Sequence, residues 1–551
     1  MKRIDRLYYW RYEIALIIAI SLGIYLSLAF FYGPSAINGD DNFVYADLGY
    51  LALAGDWKVI ASSGMFGQRF FLISGIALFY RLFGLNRLGS AIFGVMCFAL
   101  TIISIYILGD KTYNKNAGII AALVYSFNPI AVTSASYVGD NGPMALFITL
   151  SVMLLIMGLR EKDRVLSGIY LILSGFIATA GFMVTPEAII DLVFLIPATL
   201  FYTIRARNKK SIYKAAYFAI GIALGIGLMV ILGIMLMKSP LYEFSASFEP
   251  FAPSTPQLGI NIKMLFGYNL LNNLNSVLST IIYKGVFKGL NLALNLFLDT
   301  FNASKISYID LSNGLYGYFG MLAIVYLILR KNKAVALPSF WFISTFLYLC
   351  LGTSNPLKWT LIGARPRYML IFIPALTLLI GIGISDFLSL SKKQSHKILA
   401  YASVAMVLVL LFSSSFVIIK YVGLSQYRIT LPEIEIASFL NSLPKNATIF
   451  EYPQIRLASY LYNRPVMLLG FFTSYSRQIH QISQIPGNCD IIPQNAYVVL
   501  QYPNKSIISL CNLTIAYSLP KLPGYLKNYS LLEGYDHYLD FDNASVFIRK
   551  G

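Results

Sequence analysis

Charge is what this chain has least of. Only 12% of its 551 residues are Asp, Glu, Lys or Arg, against about 25% in an ordinary soluble domain. That scarcity, beside an apolar share of 57%, excludes a water-soluble enzyme and equally a disordered or collagen-like chain. Histidine is nearly missing. Of the three residues, His396 lies in a basic loop and His480 and His537 lie near the end of the chain. No zinc-type ligand spacing occurs. Acidic residues are fewer than basic ones, 25 against 43, giving a formal charge of +18. The basic residues fall in short clusters between apolar runs, which is how a membrane protein sets its orientation. Nucleic-acid binding is therefore not expected.

Eleven apolar runs come close to the roughly 20 residues that a spanning helix needs: residues 14–31, 88–108, 117–132, 144–159, 165–183, 188–204, 215–237, 315–329, 334–351, 368–388 and 398–419. The first is too long for a cleaved leader, and no small-residue cleavage site precedes Asn38-Gly39-Asp40-Asp41. Alternate loops are basic: Lys2 to Arg11, Lys111 and Lys115, Arg160 to Arg164, Arg205 to Lys214, Arg330 to Lys333, and Lys392 to Lys397. These loops and the N-terminus are expected inside, and the C-terminus outside. Asn-X-Ser/Thr sequons at Asn302, Asn446, Asn504, Asn512, Asn528 and Asn543 all fall on the outer side, as candidates for N-glycosylation. Cys489 and Cys511 share that side, which permits a disulfide between them; the alternative is two free thiols.

The expected fold class is thus mostly α: a polytopic membrane protein of about eleven transmembrane helices, N-terminus in and C-terminus out. Residues 1–420 form the membrane domain, with outer loops at about 33–87 and 238–314. The second loop reads as interfacial amphipathic helices, or as a further pair of spans. Residues 421–551 read as a small extracytoplasmic α/β domain. There "ATIFEY", "VMLLG", "AYVVLQY" and "ASVFIRK" read as strands of a largely parallel sheet, and "PEIEIASFLNSLP" as a helix.

Because carboxylates are scarce, their positions are informative. Asp40 and Asp41 follow the first span, and Asp140 follows the third within "SYVGDNGPMALF". Each is either part of a site at the outer boundary, where charge is costly to desolvate, or a helix cap in a wet loop. Arg69, Arg365 and Arg367 are likewise either ligands of an anion or snorkelling side chains. Glu187 reads as a first-turn helix charge.

The order of these features resembles the GT-C superfamily of polyprenyl-phosphate-dependent glycosyltransferases, in the branch of the protein O-mannosyltransferases and the lipid A aminoarabinose transferase. The resemblance runs over roughly residues 38–388. It is carried by Asp40-Asp41, Gly55-Asp56-Trp57, Gln68-Arg69, Gly84 with Arg87, Asp140 with Pro143, and Arg365, Arg367 and Tyr368 ahead of Pro374. The chain differs in having Asp41 where Glu is commoner, no His or Lys-Pro-Pro at the phosphate segment, and two residues between Asp140 and Pro143.

The resemblance implies a hexosyltransferase, by family habit a mannosyltransferase, working at the outer face of the cell membrane. The donor would be a sugar on a polyprenyl (dolichyl) phosphate, the acceptor a hydroxyl of a glycan, lipid or protein, and the surroundings membrane lipids. Asp40 is then the general base, with Asp41 as its partner. Arg365, Arg367 and Tyr368, and next Arg69, hold the donor phosphate, for which the guanidinium fork is suited. Asp140 and Asn141 bind the acceptor or a sugar hydroxyl. A single displacement inverts the anomeric centre (compare the inverting glycosidases). No cofactor is required, and a divalent cation at Asp40, Asp41 and Asp140 is not favoured.

Two other readings compete. Oligosaccharyltransferases of the same superfamily resemble chains with Asp-X-Asp in the first loop and Trp-Trp-Asp-Tyr-Gly in the tail, and this chain has neither. A transporter would place ionisable residues near mid-membrane, whereas Asp191 and Asp386 read as lying near span ends. The topology is tested by single cysteines in otherwise cysteine-free chains. Those at 446 and 528 should react with a membrane-impermeant maleimide in intact cells, and those at 209 and 333 only after permeabilisation. The reverse pattern overturns the orientation.

Overall fold

The computed structural model describes residues 2–30, 41–62, 66–84, 87–135, 137–206, 209–237, 315–351, 366–390 and 394–442. It also describes five strands between 449 and 549. Helices occupy all eleven of the apolar runs. They are α1 (Lys2–Phe30), α5 (Arg87–Thr112), α6 (Lys115–Ser126) followed by α7 (Pro129–Ala135), α8 (Asn141–Arg160), α9 (Arg164–Ala180), α10 (Leu192–Ala206), α11 (Lys209–Met237), α12 (Tyr316–Leu329), α13 (Ala336–Leu351), α14 (Ile373–Leu390) and α15 (Gln394–Ser442). Among the described residues, eight helices are long and apolar enough to cross a membrane, and nine if the bent α6–α7 pair counts as one span. This is a multi-pass membrane protein. Three shorter helices fold the first loop: α2 (Asp41–Ala54), α3 (Trp57–Ser62) and α4 (Phe70–Phe83).

A bilayer interior offers no water to a polar group, so backbone and hydroxyls must be satisfied within the bundle. Thr101 donates to the Cys97 carbonyl, Thr149 to Ala145 and Thr179 to Gly175, each one turn back and at 2.7–2.8 Å. The α6–α7 bend of 65° falls at Asn128-Pro129. Pro129 has no N–H to continue the helix, and the Asn128 side chain accepts instead from the Ile130 and Ala131 amides at 3.1 Å.

Two cores result. The larger joins α5, α6, α8 and α14 through Ile102, Ala121, Val152, Leu376 and their neighbours. The smaller belongs to the first loop, with Val44, Leu48, Phe66, Leu72 and Ile76, and meets the bundle at Val138 and Val184. Backbone constraints fix how α4 and α5 adjoin. Gly84 closes α4 at φ 83°, a conformation strained for other residues. Further along α5, a Cβ on Gly94 would stand 2.3 Å from the Ala135 carbonyl, so this glycine lets α5 approach the segment leading to Asp140.

The far end of the bundle is clasped by charge. Asp386 accepts from Tyr113 at 2.8 Å and from Tyr326 and Asn332 at 2.9 Å, with Arg330 at 3.6 Å. The Lys214 ammonium donates to the carbonyls of Gly158, Leu159 and Glu161 at the end of α8. The Lys214 clasp lies one α8 length, about 30 Å, from Asp140 at the start of that helix.

Asp191 does not lie at a span end as expected. It is fully buried and accepts from Ser151 at 2.5 Å, midway along α8. The reason is the two 3-10 turns Gly181–Met183 and Pro186–Asp191, which carry the chain back into the bundle before α10 starts. After these turns α10, with 15 residues, rises about 22 Å. Asp386 does lie near a helix end, as expected.

In the tail, β1 (Ile449–Tyr452), β2 (Val466–Leu468), β3 (Tyr497–Gln501), β4 (Tyr535–Phe541) and β5 (Ala544–Arg549) form one sheet of order β2-β1-β3-β5-β4. The four expected strands occur, but the sheet is mixed. β1 pairs parallel with β2 and β3, while β5 runs antiparallel to β3 and β4. The cause is β4, an unexpected strand with polar residues between its apolar ones, joined to β5 through only Asp542 and Asn543. A link that short permits only a hairpin. The helix expected at "PEIEIASFLNSLP" is part of α15, which runs unbroken across residue 420. The loop 238–314, the six sequon asparagines, and Cys489 and Cys511 lie outside the described residues.

Replacing Asp386 by Ala removes the acceptor of three side-chain donors and should lower unfolding stability by at least about 3 kcal/mol. Asn, which keeps one acceptor oxygen, should cost less. Thermal unfolding in detergent, read by intrinsic fluorescence, measures both.

Candidate functional site

Three helices begin at one place. α2 opens at Asp41, α4 directly follows Arg69, and α8 directly follows Asp140. The turns before α4 and α8 are held by their own backbone bonds: Arg69 N–H to the Phe66 carbonyl at 3.3 Å, and Met144 N–H to the Asp140 carbonyl at 2.8 Å. Each turn therefore delivers its side chain from a fixed helix start.

Arg69 and Asp140 meet there as a buried ion pair, with side chains 6% and 9% exposed. The same Arg69 Nη1 donates to the Tyr45 hydroxyl. The guanidinium carbon stands 5.0 Å from the Tyr45 ring centre and 5.7 Å from that of Phe66. Those two rings pack edge to face at 5.5 Å, so two π-faces help to replace the water Arg69 has lost. Asn42 borders the cluster, since a Cβ on Gly139 would lie 3.5 Å from its Oδ1. Asn141 donates to the Tyr137 hydroxyl at 2.9 Å, and that hydroxyl donates to Ser134 at 3.3 Å.

Asp140 is thus no helix cap. It precedes α8 in the capping position yet makes no side-chain cap bond, and gives its carboxylate to Arg69. Arg69 is no snorkelling side chain, being buried. Glu187 sits in the first turn of the segment Pro186–Asp191, as expected, and accepts from Thr185.

Of the other expected site residues, Asp40 and Arg365 lie outside the described residues, and of Asp41 and Arg367 only the backbone is described. Arg367 belongs to the 3-10 turn Pro366–Ile371, which packs against α7 and α8. Tyr368 in the same turn packs against the larger core. Among the described residues, no group of three or more His, Cys, Asp or Glu side chains stands close enough to hold a metal ion. Sequence reasoning did not single out Tyr45, Asn42 or the fully buried Asp47. The available signal was that Asn42 and Tyr45 lie three apart on a helix just after the acidic pair, and so share a face.

Residues 75–234 match the family model described as dolichyl-phosphate-mannose-protein mannosyltransferase. The chain is 29% identical over 147 residues to an uncharacterized protein of Aquifex aeolicus, a stretch covering 26% of this chain and 28% of that protein. Its fold is similar to ArnT of Cupriavidus metallidurans in the apo state, with a TM-score of 0.56 at 12% identity over 98% of each chain. For ArnT bound to undecaprenyl phosphate the TM-score is 0.53 at 11% identity, over 97% of each chain. The oligosaccharyltransferase of Archaeoglobus fulgidus tethered with an acceptor peptide gives 0.51 at 12% identity, covering 83% of this chain but only 64% of that one. The GT-C resemblance carried by the motifs agrees with the matched family model and with these folds.

If the ion pair holds the two turns together, its effects are not additive. Arg69→Met or Asp140→Leu alone leaves a buried charge without its partner and should cost about 3–5 kcal/mol, while the double variant should recover much of that loss. Chemical unfolding in detergent gives the coupling. A double variant that loses the full sum would show the two side chains acting independently.

Proposed function

We propose that this chain is a membrane glycosyltransferase that moves a hexosyl group from a polyprenyl (dolichyl) phosphate to an acceptor hydroxyl at the outer membrane face, with inversion. The observation that carries the reading is the buried Tyr45–Arg69–Asp140 cluster, a preorganised cation at the starts of α2, α4 and α8 within an ArnT-like fold. The mannosyltransferase description of the matched family supports a hexosyl donor, with mannose first. The undecaprenyl phosphate bound to ArnT and the acceptor peptide tethered to the oligosaccharyltransferase support a lipid-linked donor and a peptide among the acceptors.

In the reaction, the acceptor oxygen forms a bond to the anomeric carbon as the bond from that carbon to the phosphate oxygen breaks. The acceptor proton passes to Asp40, oriented by Asp41. Polyprenyl phosphate leaves with the bonding electrons. Its growing charge is met by Arg69 and by Arg365 and Arg367, whose planar forks match a phosphate. Tyr368 stands beside the latter two in sequence, and Asp140 and Asn141 receive the acceptor or a sugar hydroxyl. No cofactor enters this scheme.

Purified protein should release polyprenyl phosphate from a labelled polyprenyl-phosphate hexose. Asp40→Asn should lower turnover by about 10²–10⁴-fold and leave binding of the lipid intact. Arg365→Ala and Arg367→Ala should weaken both turnover and lipid-phosphate binding, and the Lys variants should retain part of each. Normal turnover in both Asp40→Asn and Asp41→Asn rejects the base assignment. No release from any lipid-linked sugar rejects the activity.

A further inference from the structure

Tyr45 and Arg69 form an anion site already occupied by one of the chain's own carboxylates. Arg69 Nη1 donates to Asp140 Oδ2 and to the Tyr45 oxygen, and all three residues are more than nine-tenths buried. Since the Tyr45 oxygen accepts from Arg69, its own proton points elsewhere, and among the described residues no acceptor takes it. A second donor thus stands beside the guanidinium.

We infer that Asp140 is a resident counter-anion, displaced from Arg69 by the phosphate monoester of the lipid-linked substrate or product and set free by that exchange to bind the acceptor. This rests on the glycosyltransferase reading above. Four physical points carry it. A buried guanidinium left without an anion is strongly destabilising, so the empty site needs an internal one. Carboxylate and phosphate fit the same planar fork. Two anions within a few ångström of one buried cation repel each other strongly, so phosphate and Asp140 do not share Arg69. Finally, Asp140 makes no side-chain cap bond at the start of α8, so parting it from Arg69 does not uncap that helix. The carboxylate that serves the acceptor is therefore exposed only once phosphate has arrived, which places donor binding before acceptor binding.

The experiment measures the affinity of the full chain in detergent for undecaprenyl phosphate and for inorganic phosphate. Asp140→Asn removes the competing charge and should raise both affinities about tenfold. Tyr45→Phe keeps the ring contact and removes the hydroxyl, and should lower both about fivefold. In the unsubstituted chain, amide hydrogen exchange over residues 137–140 should speed up when undecaprenyl phosphate binds, a readout that does not depend on any variant folding. Equal or weaker binding by Asp140→Asn, unchanged binding by Tyr45→Phe, or slower exchange in that turn makes Asp140 a brace or a co-ligand and overturns the exchange. A gain confined to the lipid would assign the effect to its tail and overturn the exchange as well. If the unsubstituted chain binds undecaprenyl phosphate and these tests fail, the glycosyltransferase reading survives. If it does not bind that lipid, both fall.

Discussion

A guanidinium taken out of water has to be neutralised where it lies, and the contact between Arg69 and Asp140 does this across 71 residues of sequence. On one side stands the first loop, with its own small core around Val44, Leu72 and Ile76. On the other stands α8, buried along most of its length in the bundle. The loop helices touch the bundle through α4 on α5, α3 on α11, Phe70 and Phe71 near Met183 and Met229, and through Val138 and Val184. Those are apolar contacts, which tolerate sliding. The ion pair does not, because without another anion at Arg69 neither buried charge can leave the other cheaply.

The bilayer accounts for where polar groups lie elsewhere. Hydroxyls within the helices bond the carbonyl one turn back, and charged clusters gather at the two ends. The end with Asp386 and Lys214 is rich in internal partners: both Asp386 oxygens accept from residues of different elements, and the Lys214 ammonium is taken up by three carbonyls at the end of α8. That end is a clamp. The opposite end holds a charge pair surrounded by aromatic rings, and it is there that the sequence keeps most of its outer acidic motifs. Asp191 is the exception, a buried carboxylate held beside the middle of α8 by Ser151 because the chain turns back before α10.

The helices were legible because about twenty apolar residues in a row admit few other structures. The first-loop helices were not, because residues 41–83 mix apolar and polar positions over segments of at most 14 residues. The burial of Asp191 beside α8 was also hidden, since two short 3-10 turns leave no periodic signature. In the tail, strand composition showed in "ATIFEY" and "AYVVLQY", while pairing direction depended on β4, which the pattern passed over. At the site, Arg69 and Asp140 were each legible as candidates from scarcity and motif order. That they bind each other was not, because a contact between two turns 71 residues apart leaves no trace in local spacing. Tyr45 was illegible for a simpler reason: in a chain with 39 tyrosines, one more carries no signal.

The three helices that start beside the ion pair all turn the same end toward it. Each helix start carries roughly half a positive charge from its aligned peptide dipoles, and α4 and α8 spend no side-chain cap bond on theirs. In the proposed reaction the lipid-linked donor carries a phosphate diester with one negative charge, and the departing monoester gains more as the glycosidic bond opens. A fixed field of this sign acts more strongly on the departing group than on the bound donor, so it favours the transition state over the ground state. The backbone of α2, α4 and α8 would then contribute to catalysis through orientation alone, whatever side chains those helices carry.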